Sequence, residues 1–151
     1  MTGRERSSLP ALLMVPLILA VMMAQVPGVL ATVAQGPASA VENPREVVMR
    51  TLPEWEALWK SHAGPQPAPM VDFSTSLVAA VFLGTRPTAG FSVEISATRR
   101  ENDALVVEYV ERAPGADAIV AQMLTSPFHV VKLPRFDGPV RFRKTATGGK
   151  P

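Results

Sequence analysis

The chain has no cysteine, and its 151 residues include only two histidines, one tyrosine and two tryptophans. Without thiols there is no disulfide framework, no thiolate nucleophile and no cysteine-based zinc site. His62 and His129 lie far apart in sequence, and no carboxylates fall around either at metal-ligand spacing. A G-x-S-x-G elbow and a phosphate-binding loop are also missing. Asp72, Ser74 and a histidine supply the residue types of a triad, but an aspartate two residues ahead of a serine reads more simply as an Asx turn. Glu108, outward along a strand, and Glu111, at its end, read as solvated rather than as an acid–base pair. The histidines read as packing residues. No catalytic, cofactor or metal residue is therefore expected, and an enzymatic role is set aside.

A strong charge of either sign is lacking too. Of the 15 Lys and Arg only Arg4 and Arg6 precede Val41, and of the 13 Asp and Glu only Glu5 does. The remainder is nearly balanced, so nucleic acid is not an implied partner.

What is present begins with a leader. Arg4 and Arg6 precede an uncharged, apolar stretch that runs from Leu9 to Ala34, and the triplet Ala38-Ser39-Ala40 has the small-x-small form of a cleavage site. A basic flank, a short apolar run and such a site read as a secretory signal peptide. The uncharged stretch is also long enough for an uncleaved N-terminal anchor. Both readings place residues 1–34 in a leader, residues 35–44 in a linker and the rest outside the cytoplasm, whether periplasmic, cell-envelope or secreted. A membrane contact is expected only through an uncleaved leader.

Residues 45–144 are then one ordinary domain, with a flexible tail over residues 145–151. Val47, Val48 and Met49 suggest a first strand. Thr51 and Glu54 have the spacing of a capping box, and Pro53 suits a first helical turn. Trp55, Leu58, Trp59 and His62 recur at i, i+3, i+4 and i+7, and Gly64 with Pro65 stops the helix. This helix is expected to bury its tryptophans on the sheet face carrying Phe91, Val93, Ile95, Leu105, Val107 and Tyr109.

Residues 77–84 are almost wholly apolar, as in a strand covered on both faces. Residues 91–98 alternate strictly between Phe91, Val93, Ile95, Ala97 and polar partners, as in a half-buried strand. Further strands are expected over residues 105–111, 128–133 and 140–143. Residues 118–124 fit neither period. Arg135, Arg141, Arg143 and Lys144 read as charge protecting an edge strand. The sum is an α+β domain: a small, mostly antiparallel sheet of about six strands with one short helix packed on it.

Between the apolar and the alternating strand lie Thr85, Arg86, Pro87, Thr88, Ala89, Gly90 and Phe91, an ordered turn by its proline and glycine content. A rigid, exposed loop loses little entropy on binding, so these seven residues are the candidate partner-binding site.

The order of Trp55-x-x-Leu58-Trp59, Val71-Asp72-Phe73-Ser74, Phe82-Leu83-Gly84, Pro87-Thr88-Ala89-Gly90-Phe91, Pro114-Gly115, Thr125-x-Pro127-Phe128 and Val131-Lys132-Leu133-Pro134 resembles the protease complex subunit PrcB family. The likeness is close over residues 77–134 and looser over the helix. It implies an exported, non-catalytic interaction module, an accessory subunit that binds or stabilises a cell-surface protease of subtilisin type. One departure is visible: the family's loop reads T-G-G-[YF], and Ala89 stands where its first glycine would be. Residues 86–91 are also similar to the N-P-T-T-G-[YF] loop of chagasin-like cysteine-protease inhibitors, with Arg86 in place of Asn. The inhibitors' other signatures are absent, so inhibition is the alternative reading.

Overall fold

A computed structural model describes residues 30–146. Most of the leader expected over residues 1–34, and residues 147–151 of the expected tail, lie outside the described residues.

The described chain forms seven strands and one helix in the order β1 (Ala31–Gly36), β2 (Arg45–Met49), α1 (Leu52–Ala63), β3 (Ser76–Phe82), β4 (Ser92–Glu101), β5 (Ala104–Arg112), β6 (Phe128–Pro134) and β7 (Val140–Thr145). They make two sheets rather than the single sheet expected: a four-stranded one ordered β1-β6-β3-β2 and a three-stranded one ordered β4-β5-β7. All pairs are antiparallel except β5 with β7, which run parallel from Leu105↔Val140 to Val110↔Thr145.

The apolar run over β3 explains the layering. Leu77, Ala79 and Val81 point one way and pack with Val93, Ile95, Val107, Tyr109, Val131 and Leu133. Val78, Ala80 and Phe82 point the other way and pack with Met49, Trp55, Leu58, Trp59, Phe128 and Val130. Because successive strand residues face opposite sides, a strand apolar at every position must be covered twice. Here the helix covers one face and the second sheet the other. The expected packing of the tryptophans is thereby corrected. They are buried, but on the outer face of the first sheet, across β3 from Val93, Ile95, Val107 and Tyr109.

Helix α1 starts as its sequence dictates. Thr51 Oγ1 accepts from the Glu54 amide, and Glu54 Oε2 accepts from the amides of Thr51 and Arg50, at 3.2 and 2.8 Å. Trp55, Leu58, Trp59 and His62 are its buried stripe, and it stops at Gly64. Asp72 makes the expected turn, Oδ1 accepting from the Ser74 amide at 2.9 Å.

Strand β1 was not expected. Ala31, Thr32 and Ala34, read as leader, and Gln35 and Gly36, read as linker, pair with β6 from Lys132 to Phe128. The rest of the linker is bonded to the domain: the Ser126 amide donates to Pro37, Ala40 donates to His62 O, and Thr85 donates to Glu42 O. Residues 31–44 are therefore part of the described fold together with those from 45 onward. Thr145, read as tail, closes β7 and bonds Tyr109 O through its hydroxyl.

Candidate functional site

Phe82 ends β3, and the chain turns through Gly84 into the candidate loop. The loop is pinned by a second irregular segment, residues 113–127, between β5 and β6. Arg86 and Thr125 exchange both backbone hydrogen bonds, at 2.7 and 3.0 Å, the Ala89 amide donates to Ala121 O at 3.0 Å, and Leu83 donates to Pro127 O at 2.9 Å. The Thr125 hydroxyl donates to Thr88 O at 2.8 Å. Gly90 has φ of 91°, and a Cβ there would lie 2.9 Å from Pro114 Cβ and 3.1 Å from Val120 Cγ1. Only glycine meets both demands, of backbone and of space. Ala89 is not at positive φ, so alanine in the family's glycine position fits the local backbone. The two segments form one platform, not a free-standing finger.

Within the loop, Thr85, Pro87 and Gly90 are exposed, while Arg86, Thr88, Ala89 and Phe91 are half-buried. Phe91 stays outside the main core. Its ring lies under the Arg86 guanidinium, 5.8 Å from ring centroid to carbon. Arg86 itself turns away from the loop tip. Its Nη2 donates to Glu111 Oε1 at 2.7 Å, and Lys144 Nζ donates to Glu111 Oε2 at 2.7 Å. Burial pushes the Glu111 carboxyl up, but the Lys144 hydrogen bond and the Arg86 charge outweigh it and hold the group below its ordinary range. Beside them Tyr109 donates to Glu46 Oε1 at 2.6 Å, and burial, then Glu46, raise the phenol's pKa well above its ordinary value. These side chains and Arg45 line a half-open cleft of about 460 Å³, walled by Phe82 and Leu83.

The pinning segment carries what sequence periodicity missed. Ile119 is fully exposed, and Leu124 and Met123 are 72% and 58% exposed. They account for three of the five large exposed hydrophobic side chains among the described residues. The signal was available in the apolar composition of residues 118–124 combined with their lack of any period.

The two histidines lie on opposite faces of the first sheet. His62 is packed among Trp59, Phe82 and Phe128, its Nδ1 2.8 Å from Ser39 Oγ. His129 joins three strands: Nδ1 accepts the Ile95 amide of β4 at 2.7 Å, and Nε2 lies 2.9 Å from Thr32 Oγ1 of β1. Because Nδ1 accepts, the ring proton sits on Nε2. Burial lowers both imidazole pKa values. Asp72 bonds Ser74 and no histidine. Glu108 pairs with Arg99, and no carboxylate pair of the acid–base kind forms with Glu111. Among the described residues, no three His, Asp or Glu side chains are placed to hold a metal.

Residues 77–134 match the family model described as PrcB C-terminal. This is the span over which the sequence resembles the PrcB family. No curated protein and no solved structure matches the chain.

Proposed function

We propose that the chain is an exported, non-catalytic protein-interaction module that associates with a protease, one of subtilisin type at the cell surface or secreted. It docks through the platform formed by residues 85–91 and 113–127. One observation carries this reading: the two loops are locked together by hydrogen bonds, while Ile119, Met123 and Leu124 project from them into solvent. A preorganised surface loses little entropy on association, and clustered exposed apolar side chains mark interaction surfaces. The non-catalytic part is supported by the way polar side chains are used. Asp72, His62 and His129 each hold a turn or a strand junction rather than converging on a cavity.

The topology suits a tether. β1 enters opposite Lys132 and runs towards Phe128, next to Phe82, from which the candidate loop departs. A leader retained as an anchor would leave the platform at the far end of the sheet. Among the described residues no helix is long and apolar enough to cross a membrane.

The test is co-purification from the native cell envelope after fractionation. Ile119→Asp with Leu124→Asp should lose a protease that the wild-type protein retains, with its thermal unfolding unchanged. Undiminished recovery of the protease would remove the platform as the docking surface. Arg86→Asp is a poorer probe, because it sets a carboxylate against Glu111 in a half-buried position.

A further inference from the structure

The two sheets have four outer strands, and three of them are blunted against pairing. β1 is broken by a register shift between Thr32 and Ala34. β4 is bulged between Ile95 and Ala97, and its outward Val93 carbonyl and Ile95 amide are taken by the side chains of Gln35 and His129. β7 carries Arg141, Arg143 and Lys144 within six residues. Bulges, plugs and cationic side chains are devices that keep an edge from accepting another strand. β2 has none of them beyond its first two residues. It pairs with β3 in unbroken register from Arg45↔Phe82 to Met49↔Val78, and residues 45–49 make no backbone hydrogen bond on the other side with any of the described residues.

A groove follows this free edge. One hollow, of about 340 Å³, is lined by Val47, Val48 and Met49 of β2 and by Ala57 and Leu58 of α1. Val47 and Val48 point to opposite faces of the sheet, so a hollow that reaches both lies at the edge. The cleft of about 460 Å³ continues it, and the two share Arg45. At that end three cations, Arg45, Arg86 and Lys144, face two carboxylates, Glu46 and Glu111. Arg45 has no partner among the described residues. At the other end stands the Glu54 carboxylate. The hollow between β2 and α1 is of mixed character, with Val47, Val48, Met49, Ala57 and Leu58 beside Glu54 and Ser61, and the groove is positive where β2 begins.

The positive end is also closed. Pro44 has no amide to continue a ladder. Gly84, at φ of 74°, packs so tightly that a Cβ would fall 2.7 Å from Glu42 O and 2.8 Å from Pro44 N. A strand added to β2 therefore stops at Arg45. If it runs antiparallel, its carboxyl end is the end that arrives there.

We propose that the free edge of β2 binds the C-terminal residues of another polypeptide as an added antiparallel strand. The terminal carboxylate sits at Arg45, and an apolar side chain fills the hollow between β2 and α1. Main-chain hydrogen bonds supply affinity in such an arrangement, and the hollow supplies selectivity. The site meets the loop platform only at Arg86 and does not depend on the protease reading.

The probe is a displayed library of random hexapeptides with free carboxyl termini. The best binder is then measured as free acid and as amide by fluorescence anisotropy. Amidation and Arg45→Glu should each weaken binding by about tenfold or more, the effect of losing one charge-assisted hydrogen bond. Arg45 is exposed and unpartnered, so Arg45→Glu should leave the thermal unfolding curve unchanged. Amide shifts on binding should map to residues 45–49 and 54–61. A library that yields no binder, an amide that binds as well as the acid, an unaffected Arg45→Glu, or shifts confined to residues 113–127 would each overturn the proposal.

Discussion

The two tryptophans of α1 differ in one atom's environment, and that difference sets the cost of replacing them. Trp55 is fully buried, and its Nε1 donates to Pro69 O at 2.9 Å. Trp59, 9% exposed and 5.2 Å away between ring centroids, has a buried Nε1 with no partner among the described residues. Trp55→Phe removes a hydrogen bond worth about 1 kcal/mol and leaves a cavity costing roughly 1–3 kcal/mol. Trp59→Phe leaves a similar or smaller cavity but removes an unsatisfied donor whose desolvation costs about 1–3 kcal/mol. The first should destabilise by about 2–4 kcal/mol, and the second should fall near zero. Truncation of either to alanine should cost ~3–5 kcal/mol, a large share of a small domain's stability of ~5–15 kcal/mol. Glu56→Ala, on the exposed side, should stay within about 0.5 kcal/mol. Urea unfolding followed by circular dichroism reads all of these, since tryptophan fluorescence changes with the substitution itself. Equal destabilisation by Trp55→Phe and Trp59→Phe would refute the reasoning.

The histidines give the domain an acid-sensitive stability. Folding lowers the pKa of His129 and His62 below the ordinary 6.5, so the unfolded chain binds more protons between the folded pKa and that value. Stability should be full above about pH 6.5 and fall below it by up to about 1.4 kcal/mol per pH unit per histidine. Protonated His129 loses its Nδ1 acceptor for Ile95, and His129→Gln should remove its share of the slope in urea titrations kept above about pH 5, where carboxylates do not contribute. A slope unchanged by His129→Gln would contradict this assignment. Gly90→Ala should cost about 1–3 kcal/mol and open the 113–127 segment to limited proteolysis, because it adds a Cβ at positive φ against Pro114. Gly115→Ala, with nothing within 4 Å of the added atom, is the matched control and should be nearly silent.

Features set by neighbouring residues were legible in the sequence. The capping box at Thr51 and Glu54, the buried stripe of α1 and the Asx turn at Asp72 all follow from short-range spacing, and they form as expected. The unbroken apolar run of β3 also announced that both of its faces would be covered. It could not say by what. The side on which α1 lies and the division of seven strands into two sheets depend on pairings between residues far apart in the chain. The parallel docking of β7 on β5 has the same origin. β1 was hidden for a different reason. Its residues are small and follow an apolar run, so they carry the composition of a processing region, and only pairing with β6 marks them as strand.

At the candidate site the loop was legible as an ordered turn. Its pinning was not, because residues 113–127 have no period and hold it mainly through backbone bonds, with the Thr125 hydroxyl as the one side-chain hydrogen bond between the two segments among the described residues. Arg86 shows the limit most clearly. From sequence it is one of the seven candidate contact residues, whereas Glu111 draws it into the cleft between the sheets.

The docking claim is tested most directly by photocrosslinking in the intact cell envelope. A photoreactive amino acid is placed in turn at Ile119, Leu124 and, as a control on the exposed face of α1, Glu56. Capture of a subtilisin-type protease from positions 119 and 124 but not from 56 is the expected result. Capture of that protease from position 56 alone, or of no protease from positions 119 and 124, would contradict it.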